Sequence, residues 1–470
     1  MCRKFLPFAF FLLTFLLLIG PASAQKMMDK VYGQAPWQLA RGEYYFRVNG
    51  VPTLVFGRNL IGNEAQFVDY FQQMAQAGER LVRIHLTQSV PWPGPAGEVD
   101  AAWAARWERI FDQAAQRGLA VIPVLGVWVD WNNGSNQEAW HDWEKNPFNA
   151  ALGGPAATPA DLFADTPCQQ RWLTWVRRLV TRWQSRPEIV AWEIFSEVDL
   201  VTGATEASAA AFVTNAARVI RAADGMARPL TVSMSGVKDW PLVFGNPAIE
   251  ITQVHPYAEV NGGFLSDLLL VSVHERLRRY GKPVLLGESG LDARPPGDTL
   301  TTAERAPVGI RHGIWAGMVS GALNARMLWW EDSYYPPIVA RYQEIAAPAA
   351  RFVCGMDFTG VRPVEAVISD NLRGAAVGNA RFILAWFRDA WCNPPTWPVR
   401  KLSHEIISFP DPGGSPSWQV QYVDPASGKL IAQRVITPAN GRLVLTLPTF
   451  QDAIGIKVVA RADVARASSP

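Results

Sequence analysis

Two apolar runs in this chain end in carboxylates. "AWEIFSEVDL" (191–200) carries Glu193 and Glu197, and "KPVLLGESGL" (282–291) carries Glu288. An ionised carboxylate withdrawn from water needs a partner or a task. Two carboxyls facing each other across a cleft suit cleavage of a glycosidic bond. One must be neutral to protonate the leaving oxygen, and the other ionised to attack the anomeric carbon. Proximity itself separates their pKa values, because neighbouring negative charges repel. Other chemistry-bearing residues recur at the ends of apolar runs. Arg83 and His85 close "RLVRIHL", and Trp128, Asp130 and Trp131 follow "LAVIPVLG". His255 and Tyr257 close "ITQVHPY", and Trp329, Trp330 and Asp332 lie in "ARMLWWEDSYY". Arg83 could keep one carboxyl ionised, while His255 and Tyr257 could hold it by hydrogen bonds.

These residues need a scaffold that gathers strand ends on one face. Asn49-Gly50 between β-rich flanks predicts a hairpin. After it, apolar strands alternate with amphipathic helices. Asp100 caps a helix whose stripe is Trp103, Trp107, Ile110, Phe111 and Ala114, and Thr166 with Pro167 opens another whose stripe includes Trp172, Trp175 and Trp183. Both Trp stripes have the spacing of packing faces. Eight such units between Leu54 and about Arg351 predict an α/β fold, a closed (β/α)₈ TIM barrel, whose strand C-termini share one rim. By strand alternation, Glu193, Phe195 and Glu197 should share one face, as should Val284, Leu286 and Glu288. If that face points inward, Glu197 and Glu288 meet at the mouth with Glu193 below them. No Gly-rich phosphate loop follows the first strand, which weighs against a nucleotide fold. Short alternating runs after Pro348, separated by turns such as Asn440-Gly441, predict a small C-terminal antiparallel β-sandwich. The expected division is 1–24 signal peptide, 25–350 barrel and 351–470 sandwich. The sandwich shows no exposed aromatic row and is expected to brace the barrel.

The N-terminus has the form of an export signal: Arg3 and Lys4, a short apolar core, then "ASA" (22–24). The mature chain is expected outside the cytoplasm, secreted or periplasmic, as a monomer free of the membrane. A net charge of +2 on 470 residues gives no reason to expect a nucleic-acid partner. Of Cys168, Cys354 and Cys392, a Cys354–Cys392 bridge and three buried thiols are equally compatible with the sequence. No HExxH occurs and the histidines are scattered, so no metal and no cofactor are expected.

"AWEIFSEVD", "VHPY", "LLGESG" and "MLWWEDSYY", in this order, resemble the glycoside hydrolase clan that contains the family 5 cellulases and mannanases. The resemblance covers about residues 44–351. It implies a retaining double displacement on a β-linked polysaccharide or oligosaccharide, of β-mannan or β-glucan type. It also implies that Glu197 is the acid/base and Glu288 the nucleophile, that Arg83 and Tyr257 flank the nucleophile, and that His255 supports the acid/base. Trp329 or Trp330 would form the floor under the attacked sugar, and Asp332 would join the glycan contacts. One departure is Ser196, where the family pattern has an asparagine that contacts the sugar 2-hydroxyl. Either a water fills the gap, or the substrate differs at that carbon, or activity is reduced; the last leaves a catalytically impaired carbohydrate-binding protein as the alternative.

Several residues have plainer roles by the same reasoning. Glu193 is expected as a buried, hydrogen-bonded carboxylate, and His85 and His312 as core or helix-surface histidines. Trp92, Trp128, Trp131, Trp140 and Trp143 lie in loop-like segments, where some could stack on sugars. Asp130, Asp199, Glu331 and Asp332 could bind sugar hydroxyls or be solvated loop charges. "NNGS" (132–135) contains a glycosylation sequon.

Overall fold

The computed structural model describes residues 37–86, 93–132, 143–164, 166–261, 263–291, 306–329, 342–392 and 400–461. The expected signal peptide, the sequon, Trp92, Trp140, Trp330, Glu331 and Asp332 lie outside them.

Eight parallel strands form the barrel: β1 (Val55–Leu60), β2 (Leu81–His85), β3 (Ala120–Val124), β4 (Trp192–Glu193), β5 (Leu230–Thr231), β6 (Thr252–Val254), β7 (Val284–Leu286) and β8 (Asn324–Leu328). Strands β8, β1, β2, β3, β4 and β5 are hydrogen-bonded neighbours in one sheet, and β6 pairs with β7. Parallel bridges Thr231↔Ile251 and Ser289↔Leu328 join the two pieces and close the ring. Closure removes every sheet edge and points all strand C-termini at one rim.

The helices begin and end where their side chains dictate. α1 (Glu64–Ala77), α2 (Ala101–Gln116), α3 (Pro167–Trp183) and α4 (Glu206–Ala223) are each capped by a side-chain oxygen, from Asn63, Asp100, Thr166 and Thr205. Each cap satisfies an otherwise orphaned amide of the first turn. α5 (Leu265–Tyr280), α6 (Ala306–Met318) and α7 (Tyr342–Val353) complete the outer ring. Between β5 and β6 the chain makes only the single turn Pro241–Phe244. The expected apolar stripes of α2 and α3 are buried throughout, in a cluster that also takes Ile194, Phe195 and Phe212.

The opposite end of the barrel is closed by a hairpin, Phe46–Val48 and Val51–Thr53. Its Asn49 and Gly50 both have positive φ, 51° and 82°, as the Asn-Gly signal requires. Trp37, Phe46 and Val48 pack there against Val55, Leu81, Ile122 and Leu285.

Ten further strands follow: β9 (Arg362–Val364), β10 (Leu372–Gly378), β11 (Phe382–Asp389), β12 (Lys401–Leu402), β13 (Ile406–Pro410), β14 (Trp418–Val423), β15 (Leu430–Ile436), β16 (Arg442–Thr446), β17 (Phe450–Gln451) and β18 (Ala453–Ala460). Antiparallel pairing gives one six-stranded sheet, β9-β10-β11-β18-β14-β15, and two strand pairs, β12-β17 and β13-β16. Side chains from both layers form one core that includes Phe387, Phe409, Trp418 and Leu445. The other face of the large sheet packs on the barrel: Val377, Leu384, Trp386, Val423 and Ala453 share a core with residues of α5, α6 and α7. Asp452 then pairs with Arg311 (2.7 Å) and His312 (2.6 Å) of α6, and Arg388 with Asp267 of α5 (2.9 Å). His312 is therefore a tether between the two parts.

Cys168, Cys354 and Cys392 are free and buried, so the Cys354–Cys392 bridge does not form. The two thiols occupy different environments. Cys354 packs under the barrel beside Leu323 and Met327, and Cys392 faces Asp452 at 3.5 Å.

Candidate active site

The side chains gathered at the rim centre on Arg83, which the structure buries completely in the middle of β2. Its guanidinium donates to Glu193 through Nε (2.5 Å) and Nη2 (2.7 Å), a bidentate fork. Nη1 donates to Glu288 Oε1 (2.6 Å) and Asn59 Oδ1 (2.9 Å), and Nη2 also to Ser196 Oγ (2.8 Å). One cation thus connects β1, β2, β4 and β7. Desolvation works against its charge, but Glu193 and Glu288 outweigh that and leave Arg83 more firmly protonated than usual.

Glu288 also accepts from the Tyr257 hydroxyl at 2.9 Å, and His85 Nε2 stands 3.8 Å from it. Glu197 lies opposite, with Oε1 2.8 Å from His255 Nδ1. Glu197, His255 and Glu288 each bring one ligand-type atom within 4.8 Å of the others. These atoms are already engaged with one another, with Arg83 and with Tyr257. Both carboxyls are mostly buried yet reach solvent, Glu197 at 9 % exposure and Glu288 at 5 %.

The environment treats the carboxyls differently. Burial, with Asp199 adding its negative charge, pushes Glu197 up to about 8, so it carries a proton at neutral pH. Burial raises Glu288 too, opposed by His255, Arg83 and the Tyr257 hydroxyl. Burial likewise pushes Glu193 up, but Arg83 overcomes it and holds this carboxyl below its ordinary range. Burial keeps His255 and, beside Arg83, His85 below the usual imidazole range, so both are neutral.

The expected alternation of faces does not hold. Ile194 and Phe195 both turn outward, Phe195 against Trp172 and Phe212. Arg83 Nη2 reaches both Glu193 and Ser196, so these two point inward with two outward residues between them. Glu197 then reaches the mouth through a left-handed backbone, φ 52°. On β7, Val284 and Leu286 face the helices and Leu285 the interior. Strand pairing loosens at both ends, which frees the two glutamates from the two-residue period.

Trp329 lies at the rim beside Tyr257, Val127 and Val129, with its ring 5.3 Å from that of His85. His85 therefore belongs to the site rather than to an anonymous core. Trp128 is half-buried there as well, its amide donating to Ser196 O (3.2 Å). Trp131 instead packs its ring against Trp143 and Phe148 in tilted contacts, away from solvent. Asp199 is not a solvated loop charge: Ser235 N (2.7 Å), Ser235 Oγ (2.6 Å) and Lys238 Nζ (3.2 Å) hold it. Asp130 is buried.

Sequence reasoning passed over Asn59 and Ser233. Asn59, at the end of β1, donates to Gly287 O (2.7 Å) and Leu328 O (3.2 Å) while accepting from Arg83. Ser233 accepts from Glu197 N (2.9 Å) and donates to Glu193 Oε1 (3.0 Å). The strand-end rule that selected Arg83 also covers both, since each is a polar residue closing a buried strand.

A barrel whose rim sets a proton-bearing carboxyl against an arginine-bound one is that of a glycoside hydrolase. The chain matches the model for cellulase (glycosyl hydrolase family 5) over residues 43–315, more than half its length, and belongs to that family. Its fold is similar to that of a glycoside hydrolase family 5 protein from Bacteroides vulgatus ATCC 8482 (TM-score 0.62, 13 % identity, 92 % of this chain and 95 % of that one). It is also similar to the endo-1,4-β-mannanase of Rhizomucor miehei (TM-score 0.52, 15 % identity, 67 % and 100 %). A third likeness is the endo-β-1,4-mannanase of Thermotoga petrophila (TM-score 0.51, 14 % identity, 86 % and 97 %). No curated protein matches the chain.

Proposed function

We propose that this chain is a retaining β-glycoside hydrolase in which Glu288 is the nucleophile and Glu197 the acid/base. The observation that carries the reading is the unequal treatment of two carboxyls whose facing atoms lie within 4.8 Å. That separation suits direct attack by one carboxylate, whereas an inverting pair would stand about 6.5–9.5 Å apart.

In the first step Glu197 gives its proton to the glycosidic oxygen, the C1–O bond breaks, and Glu288 bonds to C1. Arg83 and Tyr257 hold the Glu288 oxygens in place and pull toward its ionised form, against the upward push of burial. In the second step Glu197, now a carboxylate, takes a proton from water. The water oxygen attacks C1, and the bond to Glu288 breaks. Trp329 offers an aromatic face beside this centre for the sugar ring. β-Mannan and β-glucan are the substrates to test first, given the mannanases among the structural neighbours and the cellulase family model. Export by residues 1–24 and action as a monomer outside the cytoplasm complete the proposal.

Hydrolysis of aryl β-mannosides and β-glucosides, followed by NMR from the first minutes, tests it. The β-anomer should appear first. An α-anomer first would mean inversion. No turnover on either glycoside or on a glycan panel, with glycan binding intact, would favour the impaired binding protein that Ser196 raises. Ser196 is not a gap in the site, since its hydroxyl accepts from Arg83 at 2.8 Å and helps fix that guanidinium.

A further inference from the structure

Behind Glu197 runs a line of buried polar side chains that the reaction described above does not use. Thr231 Oγ1 is 2.9 Å from Ile251 O, Gln253 Nε2 is 2.9 Å from Thr231 Oγ1, and Gln253 Oε1 is 3.3 Å from His255 Nε2. His255 Nδ1 then meets Glu197 Oε1 at 2.8 Å. Thr231, Gln253 and His255 are all fully buried, so no solvent can redirect them.

The direction of the line is forced from one end. A backbone carbonyl only accepts, so Thr231 gives Ile251 its single proton. Thr231 must therefore accept from Gln253, which turns the amide nitrogen toward it. Glu193 fixes the amide the same way: it hydrogen-bonds the Gln253 side chain and, saturated by Arg83, can only accept. The Gln253 oxygen then faces His255, so Nε2 must carry the hydrogen. A neutral imidazole with its hydrogen on Nε2 has a bare lone pair on Nδ1. The remaining contact can be made only if Glu197 supplies the proton.

We propose that Gln253, anchored by Thr231, is a positioning residue that fixes the His255 tautomer and thereby holds the proton on Glu197. The inference rests on the acid/base reading of Glu197. Once Glu197 has given its proton to the leaving group, its carboxylate faces the Nδ1 lone pair. That repulsion makes it a stronger base toward the incoming water. The geometry of Gly287 supports the arrangement: a Cβ there would lie 2.0 Å from Gln253 Oε1 and 2.8 Å from His255 Nε2, so only glycine leaves the contact open. The charged and titratable groups around the Glu197–His255 pair are Arg83 and His85 from β2, Glu193 from β4, Asp199 after β4 and Glu288 after β7. None of them hydrogen-bonds His255 Nε2, and Glu288 Oε2 stands 3.6 Å from Nδ1, beyond hydrogen-bond reach, so the hydrogen bond that selects the tautomer comes from Gln253.

The chain contains six histidines, few enough for ¹⁵N-histidine NMR of the whole protein. The expected His255 spectrum at neutral pH is a protonated Nε2 and a bare Nδ1. A protonated Nδ1 would overturn the proposal, whatever the enzyme's activity. Q253M, which keeps the volume and removes the amide, should release the tautomer and lower the alkaline limb of kcat/KM by about one pH unit, roughly one hydrogen bond. T231V should shift it in the same direction by less. An unmoved limb in a folded Q253M protein would also overturn it. Failure of the acid/base reading looks different. E197A should lose kcat/KM on alkyl glycosides but keep it on dinitrophenyl glycosides, which need no acid; equal losses on both would sink that reading and leave the tautomer result standing.

Discussion

At the scale of single residues, the site is an arrangement for keeping one proton in place. Because Glu197 lies at about 8, raising the pH through that value converts the acid to its useless ionised form. On a substrate with a poor leaving group, kcat/KM should therefore fall about tenfold per pH unit above pH 8. A profile flat to pH 10 would contradict the assignment. D199N removes the negative charge that raises Glu197 most after burial and should move the same limb to lower pH. Y257F deletes one of the hydrogen bonds to Glu288 and should cost about tenfold in kcat/KM, near 1.4 kcal/mol, with little effect on Tm. Glu193 behaves differently. Its loss strands a buried guanidinium, so E193A should lower stability by about 3–5 kcal/mol as well as abolish turnover, measured by urea unfolding.

At the scale of elements, local chemistry was legible wherever it depends on near neighbours in the chain. Asp100 and Thr166 cap the helices that their spacing predicts, and the Trp103 and Trp172 stripes are buried as their period requires. D100A should cost about 1 kcal/mol, seen as a lower urea midpoint with activity retained. The strand-end rule named Arg83, Glu197, His255, Tyr257, Glu288 and Trp329, and these do lie together at one rim, since closure of the barrel brings strand ends together whatever their separation in the chain. The assignment of faces failed because it assumed a perfect two-residue period up to the last residue. Phe195 turns out to Trp172, and Glu197 enters through a positive φ that no periodicity announces. Asn59 and Ser233 fit the strand-end rule, but their roles were illegible, because these lie in which carbonyl or carboxylate each meets across the barrel. The roles of Trp128, Trp131 and Trp143 could not be separated by composition either. Trp131 and Trp143 are settled by packing their rings against each other, a contact between loop segments.

At the scale of the whole molecule, the sandwich is fastened to the barrel through Asp452. Burial pushes this carboxyl's pKa up, but His312 and Arg311 pull it further down, below the ordinary carboxylate range. A depressed folded-state pKa contributes stability that is present above the unfolded value and lost as pH falls through the folded one. The latch should hold at neutral pH and weaken only in strong acid. D452N should lower Tm at pH 7 and narrow its difference from the parent as the pH is taken down; an unchanged gap would show that the ion pairs carry no net weight.

The apolar seam that Trp386, Leu384 and Val377 share with α5, α6 and α7 has a practical consequence. A protein built as a catalyst with a detachable appendage can be trimmed or fused at the junction. This one cannot, because cutting after Val353 would strip the cover from three helices of the ring that carries the chemistry. Its melting should be a single endotherm, and directed evolution for thermotolerance will find as many gains among the strands after Arg362 as around the rim.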